Sequence, residues 1–318
     1  MGINRLSMMI WIAENCWNDS VDVPWCNGNV FRKEMRLDYD CWRKTVDHAA
    51  KNGCDSIFIN LSNGIKYKSH PEIAVENAWE VDFLKSELDY LRSIGLTPYP
   101  MLNFSAAHDA WLGEYSRMVS TETYYKVAKD LIHEIIDIFD TPEFFSLEYD
   151  EENGLNQARL QYACYRQFDL VWHDVNYLCD CIREKGVRPN MDADYYWSFP
   201  EEFLENVPKD VALTNWYYDT LFFDNALPRP ADYWSNNRLK SFKALTEAGY
   251  DIFLCGAGIN SFNFEQFIKL AKETLDESKI LGFQICGSWE APVPETVNYN
   301  LDAINQAKYA VDKYFGGN

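Results

Sequence analysis

The chain has few basic residues for its length. Among its 318 residues, 29 are Lys or Arg and 49 are Asp or Glu, so the formal net charge at pH 7 is -20. A field of this sign repels nucleic acids and anionic lipids, and we expect neither a nucleic-acid nor a membrane partner. The N-terminal residues lack a complete signal-peptide pattern, and no apolar stretch approaches the length of a bilayer span.

Paired cysteines and cofactor motifs are also missing. The nine cysteines are scattered and include no CxxC pair, which argues against a disulfide framework or a thiolate zinc site. Unpaired cysteines of this kind usually serve as small core residues, and they are typical of proteins in a reducing compartment. We therefore expect a cytoplasmic protein, although a secretion leader lost from the native chain is compatible with the sequence. No Gly-rich phosphate turn, Walker sequence or GxSxG elbow occurs, and no cofactor is expected.

Short β-type runs alternate with amphipathic helical patterns along the whole chain. The runs span residues 6–14, 55–62, 96–105, 144–150, 188–197, 210–219, 251–258 and 280–289. Several of the intervening helical patterns end in Gly, a signal for a helix C-terminus. Eight strands that are each followed by a helix predict an α/β fold, a single (β/α)8 TIM barrel over residues 1–318. The pattern leaves the oligomeric state open.

The fourth run, FFSLEYD, changes from apolar to acidic residues. Because strand side chains alternate between two faces, Ser146, Glu148 and Asp150 share the face that points into the barrel. Glu151 then lies at the C-terminal lip of the strand, where barrel enzymes carry their chemistry. For Glu148, a buried structural partner and a catalytic group are equally compatible with the pattern. Glu152, one residue further on, is expected to be solvated.

The same alternation places other polar residues at this mouth. Asp192 and Asp194 share a face on the fifth run, and Asn103 occupies the third. On the eighth run, Glu290 lies on the same face as Gln284, next to Trp289. Buried carboxylates are costly unless they are paired or hydrogen-bonded, so this many polar positions indicates a site.

The stretch LEYDEE at 147–152 resembles the strand-four Asp-Glu pair of glycoside hydrolase family 20, the β-hexosaminidases and their relatives. CDSIFINLSNG and YPMLNFSAAHDAW are similar to that family's second strand and to its third strand with a His-bearing loop. GSWE resembles the Trp-plus-acid ending of many barrel glycosidases. The resemblance implies that Glu151 is the general acid, that Asp150 polarises a substrate 2-acetamido group, and that His108 binds sugar hydroxyls or supports the acid. The chain departs from the family pattern where Glu148 and Tyr149 replace small residues.

Glycoside cleavage in general requires a proton donor and a second group that stabilises positive charge on the sugar. Enclosure by aromatic residues would raise the pKa of Glu151 and suit it as the donor. The second carboxylate could be Asp150, acting through a substrate amide, or Asp194 or Glu290, acting directly. The separation of the two acids, which decides between retention and inversion, is not encoded in these patterns.

Substrate-binding candidates follow from position and residue type. Aromatic residues form 16% of the chain, and those at strand ends could either stack on sugars or pack beneath loops. The loop at 107–117 is long, polar and aromatic, which suits a wall of a binding site. The candidates are His108, Asp109, Trp289, Asn103, Trp216 and Tyr218.

The sequence thus predicts a glycosidase that acts on a small carbohydrate without a metal. One alternative is a metal-dependent sugar isomerase or epimerase, in which Glu148, Asp150, Asp192, Asp194 and Glu290 would hold a divalent cation. The other is a barrel that binds carbohydrate without catalysis.

Overall fold

The protein forms a closed barrel of eight parallel strands that follow one another in chain order. The computed structural model describes residues 5–13, 16, 18–19, 30–158, 160–167, 169–219 and 230–316, except for the side chains of 230–236. The strands are β1 (Leu6–Trp11), β2 (Cys54–Asn60), β3 (Thr97–Met101), β4 (Phe144–Ser146), β5 (Arg188–Asp192), β6 (Ala212–Trp216), β7 (Ile252–Ala257) and β8 (Ile280–Cys286). This arrangement confirms the predicted (β/α)8 TIM barrel.

Helices surround the barrel. They are α1 (Tyr39–Lys51), α2 (Val81–Ser93), α3 (Glu122–Ile138), α4 (Gly154–Gln157), α5 (Asp169–Arg183), α6 (Tyr195–Ser198), α7 (Pro200–Asn206), α8 (Pro230–Glu247), α9 (Asn263–Thr274) and α10 (Val297–Phe315). Side chains at the helix N-termini determine where some helices begin. Asp38 accepts a hydrogen bond from the Cys41 amide at the start of α1, and Thr121 accepts one from the Tyr124 amide at the start of α3. Within the described parts of the chain, no helix is long and apolar enough to cross a bilayer.

The apolar side chains form two separate cores. The larger core lies between the strands and the helices, where Phe145 and Leu147 of the fourth strand region are packed. The smaller core fills the barrel itself and includes Met9, Phe58 and Phe253. This division follows the alternation of strand side chains between two faces.

Several strands are shorter than their predicted runs. β4 ends at Ser146 and bridges β3 through one residue pair, Met101 with Ser146. β5 ends at Asp192, and the last three residues of the predicted fifth run, 195–197, lie in α6. β8 ends at Cys286, and the first run's last residue, Glu14, lies outside the described residues. The loops that continue from these strand ends carry the candidate site.

Candidate functional site

A cavity opens at the C-terminal end of the barrel, where Trp11, Asp192 and Trp216 end their strands. Four carboxylic acids and four aromatic residues dominate its walls. The lining residues are Met9, Trp11, Glu148, Asp150, Glu151, Asp192, Trp216, Tyr218 and Trp289. Such a combination of apolar surface with a few converging polar groups is typical of small-molecule sites.

The acids after β4 lie on backbone of unusual conformation. Glu148, Tyr149 and Glu151 have φ angles of 49°, 66° and 57°, a left-handed region that costs non-glycine residues about 1–2 kcal/mol each. Two hydrogen bonds hold the segment: the Asp192 amide donates to the Glu148 carbonyl at 2.7 Å, and the Glu151 amide donates to Asp194 Oδ2 at 2.8 Å. Strain that surrounding contacts maintain in this way is characteristic of functional sites.

His108 joins the two adjacent acids. Its Nε2 lies 3.3 Å from Glu151 Oε2 and 3.6 Å from Asp150 Oδ2, and its side chain is fully buried. Burial opposes the charged ring most strongly, but the carboxylates of Asp150, Glu151 and Glu148 together raise the pKa of His108 to about 9. His108 is therefore cationic at neutral pH. It and Asn103, whose Nδ2 donates to Asp150 Oδ1 at 2.7 Å, fix the pair in position.

Two further acids form the floor of the cavity. Glu148 is 3% and Asp192 5% exposed, and Asn60 Nδ2 donates to Glu148 Oε2. Burial, assisted by the charge of Asp150, raises the pKa of Glu148 to about 8. The pKa of Asp192 lies well above its ordinary value because of burial and the neighbouring carboxylates.

Asp194 lies beside this floor. Burial, followed by repulsion from Asp150, raises the pKa of Asp194 to about 7. The guanidinium of Arg238 counteracts this increase, since its charge attracts both Asp194 and Glu151. Sequence reasoning missed Arg238, which lies in α8 far from any predicted strand end.

The aromatic residues form a continuous wall. Trp216 and Tyr218 are stacked with ring centroids 5.0 Å apart, and Tyr218 contacts Trp289 at 5.9 Å. Arg238 places its guanidinium carbon 4.7 Å from the Trp216 ring centroid, an electrostatically favourable contact. Trp11 completes the lining. It was also missed, although its position at the end of β1, two residues after Met9, could have identified it.

Behind the cavity lies a second cluster of acids, built around Arg166. This arginine is fully buried; its Nη1 contacts Glu152 Oε1 at 2.7 Å and its Nε contacts Asp174 Oδ2 at 2.6 Å. Its Nη2 donates to the Tyr124 hydroxyl at 2.9 Å. Glu152 also accepts a hydrogen bond from the Ala106 amide at 2.6 Å. The expectation that Glu152 is solvated was therefore wrong.

Two expected site residues lie elsewhere. Asp109 is fully buried and outside the cavity lining, next to the Arg166 cluster, and burial raises its pKa to about 8. It has no surface for the substrate contact that its loop suggested. Glu290 pairs with Arg36 at 3.0 Å and does not line the cavity, because β8 ends four residues before it and the alternation of faces does not continue.

The structure therefore brings most of the predicted site together. Asp150, Glu151, Trp216, Tyr218 and Trp289 line the cavity, while Asn103, His108 and Asp194 contact its acids. Only one group of residues in the described part of the chain has three metal-ligand atoms close together: those of His108, Asp150 and Glu151 lie within 4.8 Å of one another.

The barrel has the fold of the family 20 glycoside hydrolases, which confirms the resemblance read from the sequence at the level of fold. The solved β-N-acetylhexosaminidase from Bacteroides fragilis superimposes with a TM-score of 0.63 over 96% of this chain and 65% of its own length, at 12% identity. The Streptomyces plicatus N-acetyl-β-hexosaminidase superimposes with a TM-score of 0.63 over 96% of this chain and 64% of its own length, at 11% identity. Dispersin B superimposes with a TM-score of 0.60 over 98% of this chain and 99% of its own length, at 14% identity.

This chain thus spans about 65% of the length of the first two neighbours. No family model and no curated protein matches the sequence.

Proposed function

We propose that the protein is a glycoside hydrolase that acts on a hexosamine-type sugar, with Glu151 as proton donor and Asp150 as its partner. One observation carries the proposal: two adjacent carboxyls on the strained segment after β4 share the buried His108 and line an aromatic cavity. The names of the neighbours, which are N-acetylhexosaminidases, support a sugar with nitrogen at C2.

Each residue has a distinct part in this mechanism. Glu151 donates its proton to the glycosidic oxygen as the bond to the anomeric carbon breaks, and water adds to that carbon and gives up its proton to a cavity carboxylate. Asp150, which Asn103 and His108 hold in place, faces the C2 substituent and stabilises positive charge that develops on the sugar ring. Trp216 and Trp289 provide apolar surfaces on which the sugar can stack.

The decisive experiment compares wild type with Glu151→Gln and Asp150→Asn on aryl glycosides that include hexosaminides. Loss of the acid should lower kcat/KM about 100- to 10,000-fold for nitrophenyl substrates. Dinitrophenyl substrates should lose much less, since their leaving group needs little protonation.

Glu143→Gln is the matched control. Glu143 directly precedes β4 at the opposite end of the barrel, where the Tyr99 hydroxyl donates to it, so the variant removes one acid without touching the cavity. Its activity should equal that of wild type. A Glu151→Gln variant as active as this control on every substrate would refute the assignment.

One observation favours a second candidate, the metal-dependent sugar isomerase or epimerase. The ligand atoms of His108, Asp150 and Glu151 are close enough to bind one divalent cation. Activity on free sugars that is lost in EDTA and restored by Mn²⁺ or Mg²⁺ would support that candidate, whereas EDTA-resistant hydrolysis supports the glycosidase. Sugar binding without any turnover would indicate a non-catalytic barrel.

A further inference from the structure

One of the four acids that line the cavity differs from the others in its partners. Three of them contact a polar side chain of the protein: Glu148 with Asn60, Asp150 with Asn103, and Glu151 with His108. The fourth, Asp192, has a buried Oδ1 without a hydrogen-bond partner, and no side chain in the described part of the chain donates to its carboxyl. Such a group costs free energy that a ligand can recover.

The backbone holds Asp192 in the interior of the barrel at the end of β5. Its amide donates to the Glu148 carbonyl at 2.7 Å. Asn190, two residues earlier and therefore on the same face, donates to Thr214 Oγ1 at 3.1 Å, and Thr214 donates to Gln284 Oε1 at 3.0 Å. These polar groups of the layer below are hydrogen-bonded to one another, whereas Asp192, one layer nearer the mouth, lines the cavity.

The carboxyl of Asp192 can both donate and accept a hydrogen bond. Burial, followed by the charges of neighbouring acids, raises the pKa of Asp192 well above its ordinary value, so the group keeps its proton at neutral pH. A neutral carboxyl has one O–H donor and a carbonyl acceptor, and a hydroxyl group also donates once and accepts. A ligand hydroxyl therefore matches this carboxyl without bringing a charge into the site.

Asp192 also lies deeper than the two acids assigned to catalysis. The side chains of Asp150 and Glu151 are 21% and 27% exposed, whereas 5% of Asp192 is exposed. A sugar whose anomeric carbon lies at Glu151 consequently turns the far side of its ring towards the floor of the cavity. In a pyranose, that side carries the hydroxyl at C4, with those at C3 and C6 next to it.

We propose that Asp192 is a specificity-determining residue whose carboxyl binds one hydroxyl on the far side of the sugar ring, at C3, C4 or C6. This inference rests on the proposed function, since it specifies what the same cavity requires of its sugar. A site built to hydrogen-bond a substrate hydroxyl discriminates against the analogue that lacks it, because the buried group is then left unpaired.

The kinetic test uses 4-nitrophenyl N-acetyl-β-D-glucosaminide and its 3-, 4- and 6-deoxy analogues, with the galacto series in parallel. In wild type, we expect one deoxy substrate to lose about 10- to 100-fold in kcat/KM and the other two to lose less. In Asp192→Leu, the parent substrate should lose a similar factor, and the same deoxy analogue should be cleaved as well as the parent. A deoxy penalty that persists unchanged in Asp192→Leu refutes the contact.

Asp192→Asn distinguishes a hydrogen bond from a charge. Asparagine keeps the shape of the side chain and offers a donor and an acceptor, as the neutral carboxyl does. We therefore expect kcat/KM for the parent substrate to stay within about fivefold of wild type, with the deoxy penalty preserved. If Asp192→Asn loses as much activity as Asp192→Leu, the ligand depends on a negative charge, and the inference is wrong.

Glu143→Leu is the matched control, because it replaces an acid at the opposite end of the barrel and should preserve the deoxy pattern. Thermal unfolding without ligand detects a structural role. Asp192→Leu should melt no lower than wild type, since its carboxyl has no side-chain partner to lose. If Asp192→Leu does not fold, Asp192→Ala takes its place, and a lower melting temperature with an unchanged deoxy pattern counts against the inference.

Calorimetric titration with N-acetyl-D-glucosamine, N-acetyl-D-galactosamine and their deoxy analogues separates this inference from the proposed function. If no glycoside is cleaved, but one deoxy sugar binds about tenfold more weakly to wild type and not to Asp192→Leu, the contact stands and the glycosidase is refuted. If Glu151→Gln abolishes cleavage while Asp192→Leu changes nothing, the glycosidase stands and the contact is overturned. If no sugar is cleaved or bound, both fail.

Discussion

Two buried groups of acids lie on opposite sides of one short segment, and they are balanced in opposite ways. Behind the segment, Arg166 contacts both Glu152 and Asp174 at 2.6–2.7 Å, and all three side chains are almost completely buried. In front of it, Glu148, Asp192 and Asp194 form the cavity cluster, in which burial and neighbouring carboxylates raise the pKa values of all three acids.

The difference indicates what each cluster does. The Arg166 cluster is structural, and nearly every charged group in it is hydrogen-bonded. Removing one partner would leave a buried ion without compensation. Asp174 shows this: burial opposes its charge, yet hydrogen bonds from Ser120 and Tyr125 together with Arg166 hold its pKa below the ordinary value. The cavity cluster tolerates repulsion, as expected where stability is given up for binding.

Breaking the structural cluster should have the largest effect. Arg166→Met leaves Glu152 and Asp174 buried without their cation, and we expect it to lower the free energy of unfolding by about 3–5 kcal/mol. Urea unfolding followed by circular dichroism measures the change. Arg183→Met is the matched control, because Arg183 also contacts two acids, Asp180 and Asp210, but at the surface. Equal losses in the two variants would refute the contrast.

The raised pKa values of the cavity acids should make the stability of the protein depend on pH. The pKa of Glu148 is about 8 in the folded protein against 4.5 ordinarily, so the native state binds more protons than the unfolded state between these values. Stability is therefore present at low pH and falls as pH rises from about 5 to 8, by about 3–4 kcal/mol. Asp194, with a pKa of about 7, adds to the same decline.

His108 extends the loss of stability to higher pH. Its pKa is raised from 6.5 to about 9, so its contribution is complete below pH 6.5 and is lost as pH rises through 9. Urea unfolding at pH 5, 6, 7, 8 and 9 measures these changes in wild type, and Glu148→Gln should have a shallower slope between pH 5 and 8. A stability that rises over this interval would contradict the assignment.

Removing one charge from the cavity cluster should change the free energy of unfolding less than Arg166→Met does, and should increase it. Glu148→Gln removes one of several mutually repelling acids and retains an oxygen that accepts from Asn60, so we expect about 1 kcal/mol of added stability at pH 8. The melting temperature of the unliganded protein measures it. A clear loss of stability would show that the carboxylate itself is a structural partner.

The smallest effect is expected at an exposed pair. Lys308 and Asp312 lie one helical turn apart on α10 at 2.8 Å, with side chains 40% and 61% exposed. Lys308→Met should change the free energy of unfolding by about 0.5 kcal/mol or less. The same urea titration measures it, and a change as large as that of Arg166→Met would show that burial does not determine how much these ion pairs stabilise the protein.

Periodicity was sufficient to predict the barrel but not the ends of its strands. The alternation of Phe145 and Leu147 with Ser146 holds where the backbone is extended, and these residues do lie on opposite sides of the wall. It also gives the correct side of the wall for Glu148, Tyr149 and Asp150. It does not predict the left-handed backbone that begins at Glu148, because such φ angles at non-glycine residues depend on tertiary contacts. The helix at residues 195–198 was also missed, because its aromatic residues are typical of a strand.

The candidate site shows the same limit. Asp150 and Glu151 could be placed at the cavity because they follow a recognisable strand end. Glu152 could not, since its partner Arg166 is 14 residues later in the chain and nothing in the local pattern connects them. Asp109 could not be placed either, since its burial next to Arg166 and Glu152 depends on residues more than 40 positions later in the chain.

The shared segment of residues 148–152 also constrains how this protein can vary. It presents Glu148, Asp150 and Glu151 to the cavity while Tyr149 and Glu152 lie against Arg166. Inserting or deleting one residue would shift this pattern and place the tyrosine among the cavity acids and a cavity acid against Arg166. Substitutions here alter one contact at a time, whereas a change of length alters all of them. In a library of variants, we expect a larger share of the point mutants of this segment than of the single-residue indels to fold.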